Sequence, residues 1–213
     1  MTISITKTYE VRKNEYNSST GRENVNESTC ENIHKKYLPK NSTILIPRWI
    51  TDDLAKQVKY KKILLDYFSD LQATKMEFLE LEDKDEEIKS KVEESNVIYL
   101  PGSETSILKK NMAEKPSFIK LLRSYKGTIV GNSAGALVLG KKYVDRSNAT
   151  FDLFEGLQII DMNLAIHYTS EIETQLMKLS KDNKITITSI DERSAILISE
   201  GKIEYNGIIV TYS

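Results

Sequence analysis

The chain has 213 residues, 39% of them hydrophobic and 29% charged, which fits one soluble domain able to bury a full core. With 30 basic and 31 acidic residues the net charge is −1, which argues against nucleic acid or an anionic membrane as partner. The single cysteine, Cys30, excludes an intramolecular disulfide and a cysteine-based zinc site. No segment approaches the ~20 apolar residues of a membrane-spanning helix and no basic start precedes an apolar core, so the expected location is the cytoplasm.

Residues 2–11 alternate loosely (Ile3, Ile5, Tyr9, Val11) and predict a strand, placed at a sheet edge. Residues 12–42 are rich in Asn, Ser, Glu and Lys, and predict a loop or poorly ordered excursion. That segment holds Cys30, in a polar setting unsuited to a nucleophile, and His34, expected to be solvated. Thr43 to Pro47 predicts a short buried strand. Thr51, Asp52 and Asp53 then offer capping chemistry for a helix to about residue 71, with an apolar face of Leu54, Val58, Ile63 or Leu64, Tyr67 and Leu71.

Residues 76–81 predict a second strand, and residues 83–94 a charged surface helix with only Ile88 and Val92 to bury. Val97 to Leu100 is a third strand, ending in Pro101-Gly102-Ser103-Glu104-Thr105. Helical stretches near 106–110 and 116–125 lead to the β-branched run Thr128-Ile129-Val130. Strands alternating with helices predict a doubly wound, mostly parallel α/β sheet, whose sites gather at the carboxyl ends of the strands. The turns at 101–105 and 132–134 therefore belong near one another.

After Val130 comes Gly131-Asn132-Ser133-Ala134-Gly135, followed by the helix-compatible Ala136 to Leu139. Strand, Gly-x-Ser-x-Gly and helix together form the setting of a nucleophile elbow, in which a strained serine projects its hydroxyl beside free helix N–H groups. His167 ends the apolar stretch Leu164-Ala165-Ile166 and precedes a helix at 169–179, so it also sits at a strand's carboxyl end. Strands at 185–190, 194–199, 202–205 and 208–211 complete the chain as an antiparallel addition to the sheet. Their joints are Ser199-Glu200-Gly201 and Tyr205-Asn206-Gly207, the latter a tight-hairpin signal.

Acyl transfer by a serine needs a base in reach and an acid to orient that base. Ser133 is the nucleophile candidate, and His167 is the histidine that follows it. The acid is less determined. Asp145, Asp152 and Glu155 lie between the two, while Asp191 and Glu192 follow a later strand; Asp152 and Asp145 lead. The Ala134 N–H, with one from Gly102-Ser103, would form the oxyanion hole, and Glu104 beside that turn is the substrate-contact candidate.

These residues carry a family resemblance. Gly131-Asn132-Ser133-Ala134-Gly135-Ala136 resembles the G-x-S-A-G-A elbow of the peptidase E (aspartyl dipeptidase) and cyanophycinase family of serine peptidases. Ile98 to Thr105 is similar to that family's apolar strand and Gly-Gly-Asn-Thr turn, with Ser103 and Glu104 replacing the second glycine and the asparagine. Phe154-Glu155-Gly156-Leu157-Gln158, leading to His167-Tyr168, resembles the approach to its histidine, and Ile190-Asp191-Glu192-Arg193-Ser194-Ala195 a late strand of some members. The resemblance implies a flavodoxin-like fold related to class I glutamine amidotransferases, with Ser133 as nucleophile, His167 as base and no cofactor. The arginines that bind an aspartyl carboxylate in that family are missing from Thr169 to Thr174. The expected protein is a single-domain serine hydrolase (residues 1–213) acting on a small peptide or related amide, as monomer or homodimer. Ser103, Glu104 and the missing arginines motivate a rival: a non-catalytic relative that binds rather than cleaves.

Overall fold

The computed structural model describes residues 2–6, 38–39, 41–70, 73, 75–145 and 151–213. Most of the expected polar excursion, with Cys30 and His34, lies outside the described residues. In chain order come β1 (Thr2–Thr6), β2 (Thr43–Pro47), α1 (Leu54–Asp70), β3 (Lys75–Leu79), α2 (Asp85–Glu94) and β4 (Val97–Leu100). Next are α3 (Thr105–Ala113), α4 (Pro116–Ser124), β5 (Thr128–Asn132), α5 (Ala134–Leu139), β6 (Lys142–Asp145), β7 (Asp152–Glu155) and β8 (Asn163–Ile166). A 3-10 turn (Ser170–Ile172) then precedes α6 (Glu173–Asn183), β9 (Ile187–Ile190), β10 (Ala195–Ser199), β11 (Lys202–Asn206) and β12 (Ile209–Tyr212).

The central sheet has seven strands in the order β11-β10-β1-β5-β4-β2-β3. Its β3-β2-β4-β5 half is parallel throughout, as the alternation of strands and helices predicts. β1 is not at an edge: it runs between β10, to which it is parallel, and β5, to which it is antiparallel. Two faces follow from the period-2 pattern of these strands. Ile44, Ile46, Val97, Tyr99 and Val130 pack under α1 through Leu64 and Phe68. Leu45, Ile98 and Ile129 pack on the other side with α2 to α5, through Ile88, Leu108, Phe118 and Ala136.

α1 begins where Asp53 caps it, its Oδ1 accepting the N–H groups of Ala55 (2.9 Å) and Lys56 (3.2 Å). Its buried stripe is Leu64 and Phe68 rather than Val58 and Ile63, which are 68% and 50% exposed. α2 buries Ile88 and Val92, the two apolar residues it has to offer.

The C-terminal strands do not all extend the central sheet. β12-β9-β8-β6-β7 form a second, five-stranded sheet, parallel at its centre and antiparallel at both edges. Tyr143, Leu164, Ile166 and Ile190 of this sheet share one buried cluster with Leu45, Ile98 and Ile129 of the first. The expected Tyr205-Asn206-Gly207 hairpin is therefore a crossing between sheets. β11 pairs with β10 and β12 with β9, so the two strands flanking Asn206-Gly207 part instead of pairing. Gly207 (φ +91°) runs so close to Ser194 that a Cβ there would stand 2.3 Å from its Oγ, and that Oγ accepts the Ile208 N–H at 2.7 Å. The tight hairpin is at Glu200-Gly201, both at positive φ as a type I′ turn needs, between β10 and β11.

Candidate active site

β5, a central strand of the first sheet, ends at Asn132, and α5 starts at Ala134, so Ser133 alone makes the turn. Its backbone, at φ +50° and ψ −114°, lies outside every region comfortable for a residue with a side chain. Two glycines permit it. A Cβ on Gly131 would stand 2.6 Å from the Gly135 carbonyl oxygen, and one on Gly135 would stand 2.1 Å from that of Leu100. β5, α5 and the end of β4 thus pack backbone to backbone, the close approach that only glycine allows. The strain, about 1–3 kcal/mol for such a residue, is held by this packing.

At the start of α5, Ala136 and Leu137 donate their N–H groups to the Ser133 carbonyl (2.9 and 3.0 Å), and the positive end of the helix lies next to Ser133. The other end of α5 is tied by the loop after β7. Leu157 donates its N–H to Val138 O (2.7 Å), and Ile159 and Ile160 donate theirs to Leu139 O (3.0 and 3.1 Å). The Phe154-to-Gln158 motif therefore secures the serine's helix from behind.

Ser133 opens onto a groove of about 880 Å³ between the two sheets, lined also by Ser103, Glu104, Leu137, Tyr143, Asp145, Asp152 and His167. Gly102 borders the serine: a Cβ on it would lie 3.1 Å from Ser133 Cβ. Neither Gly102 nor Ser103 adopts a positive φ, so the serine at 103 imposes no backbone strain on this turn. Glu104 is the exposed residue preceding α3, and its carbonyl accepts the Leu108 N–H at 3.1 Å.

His167 sits directly beyond β8 at φ +56°, a left-handed conformation uncommon among residues other than glycine. Its Nδ1 lies 3.2 Å from Glu192 Oε1. β8 and β9 are parallel neighbours, with Ile166 opposite Ile190, so the residues just past each strand meet at the same end of the sheet. Asp145 and Asp152 stand opposite each other on β6 and β7 and line the groove wall. The structure thus brings together Ser133, His167, the Gly102-Ser103 turn, Glu104 and both favoured aspartates. A carboxylate set against the histidine ring, 3.2 Å from Nδ1, is that of Glu192, one of the five acids the sequence leaves open.

Two groove features escaped the sequence reading. Tyr143 stacks on Phe154 with ring centroids 5.7 Å apart, and burial, followed by the Asp145 charge, pushes its phenol up to about 12. The Lys109 ammonium lies 5.6 Å from the Tyr143 ring and donates to the Glu155 carbonyl at 2.6 Å. Both residues come from elements whose role appears only once β6 and α3 are seen to face each other. Among the described residues no group of three or more His, Cys, Asp or Glu is arranged to hold a metal ion, and no helix is long and apolar enough to cross a membrane.

A mostly parallel α/β sheet with helices on both faces, antiparallel outer strands and a strained serine at the tip of a central strand defines the class. Comparison with known proteins gives the family. The family model "Peptidase family S51" matches residues 17–206, and the chain belongs to that family, whose membership supports a peptidase-type function. A candidate peptidase E protein from Listeria monocytogenes EGD-e, solved at 1.5 Å, has a similar fold (TM-score 0.55) at 17% identity, over 99% of this chain and 96% of that one. No curated protein matches the sequence.

Proposed function

We propose that this protein is a serine hydrolase of the peptidase E type, cleaving a small peptide or related amide. Ser133 is the nucleophile, His167 the general base and Glu192 the acid that orients it. The observation that carries the reading is the strained Ser133 turn opening on the same groove as His167. Glu192 stands at Nδ1, and in this proposal the serine proton goes to the ring's other nitrogen, Nε2.

In the first half-reaction Ser133 Oγ bonds to the amide carbon as its proton passes to His167 Nε2. The oxyanion would be met by the N–H of Ala134 and that of Ser103. Collapse breaks the C–N bond, and the leaving amine departs with the proton from His167. Water then adds to the ester carbon, giving its proton to His167, and that proton returns to Ser133 as the acid product leaves. No cofactor takes part.

Glu192 is preferred to Asp145 and Asp152 on the 3.2 Å approach of its carboxylate to the ring. The pair is exposed, with side chains 48% and 74% accessible, so solvent screens it and its value lies in orientation rather than stability. Of the three features that motivate the non-catalytic alternative (Ser103, Glu104 and the missing arginines), the first loses weight, because a turn without positive φ accepts serine as readily as glycine. The same reading takes the chain as one cytoplasmic domain, monomeric or homodimeric. The test is incubation with a di- and tripeptide mixture followed by mass spectrometry of the products. Cleavage lost in Ser133→Ala is expected; cleavage at the wild-type rate in that variant would overturn the proposal.

A further inference from the structure

Tyr60 lies on α1, the helix that covers the face of the central sheet away from α5. Its hydroxyl donates to the Gly102 carbonyl at 3.0 Å. The Gly102–Ser103 peptide is trans, so its C=O and N–H point in opposite directions. Fixing the carbonyl toward Tyr60 therefore turns the Ser103 N–H away from α1. That N–H has no hydrogen-bond acceptor among the described residues, while Ser103 lines the groove beside Ser133 and His167.

We infer that Tyr60 is a positioning residue for the oxyanion turn, its hydroxyl holding the Gly102–Ser103 peptide so that the Ser103 N–H is presented to the groove. The inference rests on the serine-hydrolase reading above. A peptide free to rotate about its flanking bonds would present its carbonyl oxygen to the developing negative charge for part of the time. Repulsion would then replace donation. Donors act in the transition state only if their orientation is set beforehand, which is what a hydrogen bond from behind the turn supplies. Ser103 makes the clamp more useful here, because it sits where the related turns carry a second glycine. Burial also raises the Tyr60 phenol above its ordinary 10, so the hydroxyl stays a donor through the neutral range.

The test uses Tyr60→Phe, which removes the oxygen and keeps the ring, and a fluorophosphonate probe whose attack by serine develops charge on the P=O oxygen. Inactivation rate at saturating probe (kinact) and half-saturating concentration (KI) are measured for both proteins, with thermal melts alongside. The expected result is a kinact about 10-fold lower with unchanged KI and a melting temperature close to wild type. Equal kinact in the two proteins overturns the inference and leaves the serine-hydrolase reading standing. A change confined to KI also overturns it, since the hydroxyl would then shape the groove and not the turn. A wild-type protein that does not label overturns both.

Discussion

His167 Nδ1 lies 3.2 Å from Glu192 Oε1, the histidine one residue past β8 and the glutamate two residues past its parallel neighbour β9. The β8-to-β9 unit carries the proposed base and acid together, whereas Ser133 arrives from the other sheet. Replacing Glu192 by Gln keeps the shape and removes the carboxylate charge beside the ring. The expected effect is a fall of about 100-fold in the rate of Ser133 modification, smaller than the ~10⁴-fold of a buried triad aspartate because Glu192 is exposed. Asp145→Asn and Asp152→Asn, measured by the same kinetics, are expected to change the rate by less than about threefold.

Gly135 has no room for a side chain, since its Cβ would stand 2.1 Å from a backbone oxygen of Leu100. Neither β4 nor α5 can yield without opening the core around Ala136 and Leu137, both buried. Gly135→Ala is expected to cost about 3 kcal/mol, read as a fall of several degrees in thermal melting. A melting temperature equal to wild type would contradict this packing.

Ser133 stores backbone strain that glycine would not feel. Ser133→Gly releases about 1–3 kcal/mol and gives back roughly 0.5–1 kcal/mol through the freer unfolded chain. The variant is therefore expected to melt about 2–4 °C above wild type while losing all labelling and hydrolysis. Stabilisation by deleting the reactive group would separate the strain from any role in folding.

Tyr143 supplies a pH signature. Its folded-state phenol is pushed from 10 to about 12, so the unfolded chain releases this proton first as pH rises. The contribution is fully present below pH 10 and is lost as pH climbs through the folded value. Tyr143→Phe is expected to lose less melting temperature than wild type between about pH 9 and about pH 11, by differential scanning calorimetry.

Much of this architecture is legible in the chain because it is local. Val97 to Leu100 and Thr128 to Val130 read as strands from composition, and the glycines around Ser133 announce a turn between strand and helix. What the sequence withholds is long-range pairing. Residues 2–6 carry no mark that they run inside a sheet, because β10, their parallel partner, lies at the far end of the chain. Asn206-Gly207 has the local chemistry of a hairpin, yet Ser194 draws the backbone across to another sheet. Glu192 is hidden for a similar reason. Its meeting with His167 depends on β8 and β9 being neighbours, whereas Asp145 and Asp152 are favoured by lying between serine and histidine in sequence.

The central claim is that Ser133 is an activated nucleophile. Intact-mass analysis after fluorophosphonate treatment, on wild type and on Ser133→Ala and His167→Ala, tests it most directly. The expected result is a single stoichiometric adduct on wild type and none on either variant. A folded wild-type protein that takes up no probe, or an adduct that persists in Ser133→Ala, would contradict it.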